Sequence, residues 1–256
     1  MLKHFVVAIL IFSGFSCQTQ QTQKTDNSTD NKIDSMSNSL EKAKTSGNDE
    51  NFGEIVESFT DDTDIGIPHK NKIEIFNITQ PDVNTAKINF YSLTTDKEWK
   101  LKQTFTLDKD KLISLNPKVK DFNNDGLKDF TYVPATAGRG ANELQRLFIY
   151  DKKKDELVYV KNSEEYPNLR YNKRLNSLTA QRFYGDTTVT EFLNIEEDLL
   201  KKFASVESKD TERTVFLVDK NGKEKLLKKY KINGLEYLER FKNFNPLEFD
   251  DFDDEQ

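Results

Sequence analysis

Val215-Phe216-Leu217-Val218-Asp219-Lys220-Asn221-Gly222-Lys223-Glu224-Lys225-Leu226-Leu227 places an Asn-Gly pair between two runs of strand-forming residues. Asn-Gly accepts the positive φ angles of a tight two-residue turn, so the stretch predicts a β-hairpin. The same grammar recurs upstream. Ile73-Glu74-Ile75-Phe76 and Thr104-Phe105-Thr106-Leu107 alternate with the two-residue period of a half-buried strand, and Asp151-Lys152-Lys153-Lys154-Asp155 reads as another turn. Strands are expected at Lys72–Ile78, Ala86–Tyr91, Trp99–Thr106, Phe130–Val133, Leu144–Tyr150, Glu156–Val160, Leu178–Phe183, Thr187–Leu193, Leu199–Val206, Thr214–Val218, Glu224–Ile232 and Leu235–Phe241. Strands that follow one another without intervening helical patterns predict an all-β domain, an antiparallel β-sandwich or open meander. Leu193–Phe203 also carries helical spacing.

The ends of the chain read differently. Residues 1–16 begin with a basic Met-Leu-Lys-His and continue through the apolar Phe5–Phe12 to small residues, which describes a secretory signal too short to span a bilayer. The protein's single cysteine, Cys17, follows directly. It looks like the lipid-acceptor cysteine of a bacterial lipoprotein, so membrane attachment through a lipid on Cys17 is expected, with an ordinary signal and a free thiol as the alternative. Residues 17–51 are rich in Gln, Thr, Asn, Ser, Asp and Lys and predict a disordered tether. A tether of about 33 residues reaches about 30 Å on average. The folded domain is expected over residues 52–249, with an acidic tail at 250–256. The net charge is −6, and six acids, Glu248, Asp250, Asp251, Asp253, Asp254 and Glu255, lie at the C-terminal end. Without them the remainder is near neutral, so no basic excess points to nucleic acid.

Chemistry is sparse. The two histidines are His4, in the signal, and His69, and no Walker loop or dinucleotide fingerprint occurs. A Ser-His-Asp or Cys-His set would depend on His69 alone, and a zinc cluster of Cys and His has too few ligands. The chain therefore reads as a non-enzyme, a glycan-active carboxylate pair being the remaining enzymatic alternative. One stretch stands out as a binding site. Asp121-Phe122-Asn123-Asn124-Asp125-Gly126-Leu127-Lys128-Asp129 places oxygen-bearing side chains at its first, third, fifth and ninth positions and glycine at its sixth. Calcium takes six to eight oxygens, and Asp121, Asn123, Asp125, Asp129, the Leu127 carbonyl and water supply such a set. Tyr132 stands at the twelfth position, where an EF-hand has glutamate, and Asn116-Pro117 interrupts any leading helix, so a strand-loop-strand site is expected. A bare hairpin turn is the plainer alternative.

The loop resembles the calcium loops of FG-GAP and VCBS-type extracellular proteins. A longer resemblance runs from Asp121 to about Glu207: the loop and its strand, the glycine-bearing Thr136–Asn142, Leu147–Leu157, the loop Asn162–Asn168 and a closing pair of strands. That order is similar to a family of bacterial periplasmic lipoproteins related to lysozyme inhibitors, some of which act as immunity proteins against peptidoglycan hydrolases injected by type IV secretion systems. The resemblance implies a β-rich domain with a structural calcium, placed in the cell envelope at the periplasm or cell surface. It also implies a loop that plugs a hydrolase's cleft. The family's loop carries Tyr, then Thr four residues on, then Lys two further. Here Tyr132 and Thr136 match, Gly138 takes the place of the lysine and Arg139 lies beside it. Partner binding is accordingly expected at Tyr132, Thr136 and Arg139. Trp99 is expected to pack within the sheet.

Overall fold

A computed structural model describes residues 53–233 and 238–250. The expected signal, Cys17, the tether, residues 251–256 and residues 235–237 of the expected strand Leu235–Phe241 lie outside the described residues. The described chain is all-β, with no α-helix.

The first sheet holds β1 (Glu54–Asp61), β2 (Asn71–Thr79), β3 (Asn84–Leu93) and β4 (Trp99–Asp108), hydrogen-bonded in chain order. The second holds β5 (Lys118–Lys120), β6 (Asp129–Ala137), β7 (Asn142–Asp151) and β8 (Glu156–Val160), again in order. The third runs through β9 (Arg170–Asn172), β10 (Ser177–Tyr184), β11 (Thr187–Glu196), β12 (Leu199–Lys209), β13 (Glu212–Val218) and β14 (Glu224–Lys231). A two-stranded piece, β15 (Phe241–Phe244) and β16 (Leu247–Phe249), closes the set. Every pairing is antiparallel.

The sheets pack face on face, and strand alternation decides which core each residue enters. Ile73, Ile75, Ile88 and Phe90 of the first sheet meet Phe130, Tyr132, Phe148 and Tyr150 of the second. Phe105 sets its ring edge against Phe148 at 5.1 Å. One residue away on the same strand, Leu147 points to the opposite face and joins Val160, Leu178, Ala180, Leu193 and Leu200 between the second and third sheets. Phe192, Ala204, Val206 and Val215 line the far face of the third sheet under Phe241. A bulge in β12 opposite Phe192 and Leu193 adds Phe203 and reverses the alternation, which turns Leu200 and Ala204 to opposite faces. The second sheet is thus covered on both sides, and six consecutive residues of β6, Asp129–Pro134, are buried. Each ring removed from water there stabilises the fold by about 1.5–3 kcal/mol.

Several expectations shift. Leu193–Phe203 is the β11–β12 hairpin, with Glu197 at φ 56° in its turn, and is not helical. The Asn221-Gly222 hairpin forms, but through a five-residue connection. The Asp219 carboxylate accepts the N–H groups of Asn221 at 2.8 Å and Lys223 at 3.0 Å and so holds a wider turn. In the expected Leu235–Phe241 strand, Glu239 and Arg240 belong to no strand, and strand structure starts at Phe241. Arg240 is buried there and binds the carbonyls of Asn168 and Thr179.

Candidate functional site

Asp121 to Asp129 forms the connection from β5 into β6. The Asp121 carboxylate accepts the N–H of Asp125 at 3.2 Å and of Gly126 at 2.9 Å. Asn123 Oδ1 accepts the Asp125 N–H at 3.1 Å, and Asp125 Oδ1 accepts that of Leu127 at 2.9 Å. Each acidic or amide side chain therefore caps backbone a few residues ahead, which winds the loop into a small ring. Gly126 sits at φ 86°, where glycine alone is unstrained. Asp129 is different. It is fully buried at the start of β6, and its two oxygens accept the N–H groups of Phe122 at 2.8 Å and Tyr150 at 2.9 Å. Burial pushes its carboxyl up to about 7 against the pull of those two donors, and the charges of Asp125 and Asp121 add to the rise.

How well does this loop fit calcium? The oxygen-only donor set and the wound backbone suit a hard cation, and a divalent ion would offset the negative neighbours that help raise the buried Asp129 carboxyl. Against this, among the described residues no three His, Cys, Asp or Glu side chains gather as a metal shell, the loop included. Asp125 is exposed and Asp121 and Asn123 are half-buried, while Asp129 is buried and committed to backbone on its inner side.

Tyr132, expected at a partner surface, is instead in the core with none of its side chain exposed. Its position in β6 turns it toward the first sheet, where apolar neighbours surround the ring. Its hydroxyl accepts a 2.9 Å hydrogen bond from Arg146. Arg146, on β7, is itself buried and spans Asp108 and Glu164, with Nη2 2.8 Å from Asp108 and Nε 2.5 Å from Glu164. Burial opposes the charge on Arg146, but Glu164 and Tyr132 outweigh it and hold the guanidinium firmly protonated. This cluster was not legible in the sequence, because Arg146 is 18 positions from Glu164 and 38 from Asp108. Thr136 is half-buried near the end of β6, paired with Glu143.

Arg139 does reach the surface. The β6–β7 hairpin turns through Gly138, Arg139 and Gly140 at φ 59°, 59° and 92°, and Arg139 is exposed at the tip. A Cβ on Gly138 would meet Asn142 Nδ2 at 2.7 Å, so glycine is required there on two counts. Two asparagines pin the base of this hairpin to its surroundings. Asn142 accepts from the Phe183 N–H at 2.8 Å and donates to the Phe183 carbonyl at 2.9 Å. Asn168 donates to the carbonyls of Ala141 at 3.0 Å and Gln181 at 2.8 Å, and accepts the Glu143 N–H at 3.1 Å. An exposed cation thus stands on a tight tip whose root is fixed to β10. Exposed Tyr184 continues from the pinned Phe183. Asparagine in loops gave no advance sign of this role, since it reads equally well as solvated polar sequence.

No family model matches this chain, and no curated protein matches it. Among solved structures, one described as a Xanthomonas type IV secretion system related protein is similar at a TM-score of 0.45 and 11% identity, covering 69% of this chain and 97% of that one. A likeness that distant does not carry a function across.

Proposed function

We propose that this chain is a non-catalytic binding module of the bacterial cell envelope that presents the β6–β7 hairpin tip to the acidic cleft of a peptidoglycan hydrolase. The observation that supports this reading best is Arg139, an exposed guanidinium at the apex of a three-residue left-handed turn whose base Asn142 and Asn168 fasten to β10. A fixed root lowers the ordering cost of docking, and a guanidinium matches paired carboxylates in geometry and charge. The family resemblance supplies the partner class, and the mature chain would be held at the membrane by lipid on Cys17. Tyr132 takes no direct part in docking. It supports the strand that carries the tip.

The loop Asp121–Asp129 is proposed to hold calcium through Asp121, Asn123, Asp125 and the Leu127 carbonyl, with Asp129 closing the set from beneath. The oxygen-only donors and the wound backbone of the loop support this. Bound calcium would neutralise the loop and fix the start of the strand that leads to Arg139.

The deciding experiment measures inhibition of lysozyme-type muramidases on labelled cell walls by the full chain and by Arg139→Glu. Inhibition by the wild type that falls at least tenfold in the variant is expected. Equal potency of the two proteins, or no inhibition by either, would refute the reading.

A further inference from the structure

The first sheet turns one face to the core, and among the described residues nothing covers the other. Across β2, β3 and β4 that outer face carries Lys72, Tyr91 and Leu101 in one rung and Leu93 opposite Trp99 in the next. Trp99, the only tryptophan of the protein, is 36% exposed, and Leu101 is 50% exposed. Trp99 pairs across the strands with Leu93, as expected of a sheet residue, but it lies outside the core between the sheets, which Phe, Tyr, Ile and Leu fill.

The polar groups beside these rings are already in place. Lys72 Nζ lies 4.2 Å from the Tyr91 ring centroid, 5.5 Å from that of Trp99 and 2.8 Å from Glu74 Oε1. The Tyr91 hydroxyl donates to Glu74 Oε2 at 2.7 Å. One rung along, Asn89 Oδ1 accepts the Thr104 hydroxyl at 3.0 Å. Rigid aromatic surface and fixed hydrogen-bonding groups therefore share one face, and the rungs of Leu93–Trp99 and Tyr91–Leu101 are about 6.6 Å apart along the strands.

We propose that this outer face binds a neutral β-1,4-linked pyranose chain. A pyranose ring has an apolar face of C–H groups and a rim of hydroxyls, so it needs an aromatic surface with donors and acceptors close beside it. Tyr91 and Trp99 offer the surface. Glu74, Lys72 and the Asn89–Thr104 pair offer the rim contacts, with their ordering cost already met within the fold. A protein partner would favour a face whose centre is free of charge, whereas here Lys72 and Glu74 sit among the apolar groups. Their charges cancel, which suits an uncharged ligand, and a β-1,4 chain is an extended ribbon able to lie along successive rungs.

Because Trp99 is the sole tryptophan, its fluorescence reports this face directly. The full chain is titrated with the tetramer of β-1,4-linked N-acetylglucosamine and, separately, with cellotetraose. A saturable change in emission with at least one of them is expected, weakened at least tenfold in Tyr91→Ala and in Glu74→Gln, with Trp99→Ala showing the same loss by calorimetry. Trp99 is exposed and Tyr91 and Glu74 are half-buried on this face, and circular dichroism verifies the folding of each variant. No saturable response to either sugar would overturn the proposal, as would affinity unchanged in the three variants. Self-association in sedimentation that Trp99→Ala abolishes, without sugar binding, would instead assign the face to a second copy of the chain. The hydrolase test is independent of all these outcomes, because Arg139 lies on the second sheet.

Discussion

Replacing Asp155 with asparagine tests how the first two sheets are joined. Asp155 lies in the β7–β8 turn at φ 55°, and its carboxylate accepts hydrogen bonds from Asn71 at 2.9 Å, Ser92 at 2.7 Å and Tyr150 at 3.0 Å. Asn71 and Ser92 belong to β2 and β3, so one side chain of the second sheet gathers donors from the first. Asparagine tolerates the same backbone but has a single acceptor oxygen, and its amide confronts a donor. At least one of the three donors loses its acceptor. A hydrogen bond to a charged group contributes about 1.5–3 kcal/mol, and the side chain is about a third exposed, so the expected loss is about 2 kcal/mol. For a domain of this size that lowers Tm by about 4–8 °C. The pH dependence follows from the same contacts. Burial works against ionisation of Asp155, but the bonds from Ser92, Asn71 and Tyr150 outweigh it and hold the carboxyl below its ordinary range. A depressed native pKa contributes stability that is full above the unfolded value of about 3.9 and is lost as pH falls through the native value. Thermal unfolding of wild type and Asp155→Asn, followed by circular dichroism, should therefore show the widest gap near pH 7 and a narrowing gap below about pH 4. A gap under one degree at pH 7, or one of constant width into strong acid, would refute the reasoning.

Asn142→Ala removes both bonds to Phe183 and should cost about 1–3 kcal/mol; faster proteolytic cleavage at the Arg139 tip would report the loosened root. Tyr132→Phe deletes one of several bonds to buried Arg146 and should destabilise by about 0.5–1.5 kcal/mol in chemical denaturation, with no effect on partner binding beyond that. Gly138→Ala places a Cβ 2.7 Å from Asn142 Nδ2 at a positive φ, so a loss larger than about 1 kcal/mol is expected by the same measurement. Calcium at a hundred times its dissociation constant should stabilise the wild type by about 2.7 kcal/mol over chelator, and Asp125→Ala should abolish the difference in Tm. An equal response in both proteins would remove Asp125 from the site.

The strands whose alternation is strong in the sequence are the ones that pack one face on a core. Lys72–Ile78 and Ala86–Tyr91 lie within β2 and β3, where buried and half-exposed positions alternate from Asn71 to Asn77 and from Asn84 to Tyr91. Glu156–Val160 coincides with β8. The β1 strand escaped notice because it is an edge strand, with half-exposed and exposed residues in place of a buried row. β5, β9 and β16 are three-residue strands, too short to display a period. At the candidate site, Arg139 could be read from its flanking glycines. The burial of Tyr132 could not, since a motif match records residue order and says nothing about which face of a doubly covered strand a side chain takes. Nor did spacing reveal Asn142 and Asn168, whose partners Phe183 and Gln181 come from another sheet.

Every strand in the three large sheets is bonded to its immediate neighbours in the chain. No sheet has to wait for a distant segment to fill a gap among its strands. Closing a short hairpin sacrifices little chain entropy, and such local contacts favour fast folding. A chain emerging N-terminus first can therefore register the first sheet before the second exists. The second then arrives on a ready template, and its own uncovered side serves as template for the third. Assembly in that order leaves one newly exposed apolar face at a time, which limits the surface open to aggregation while the protein is still incomplete.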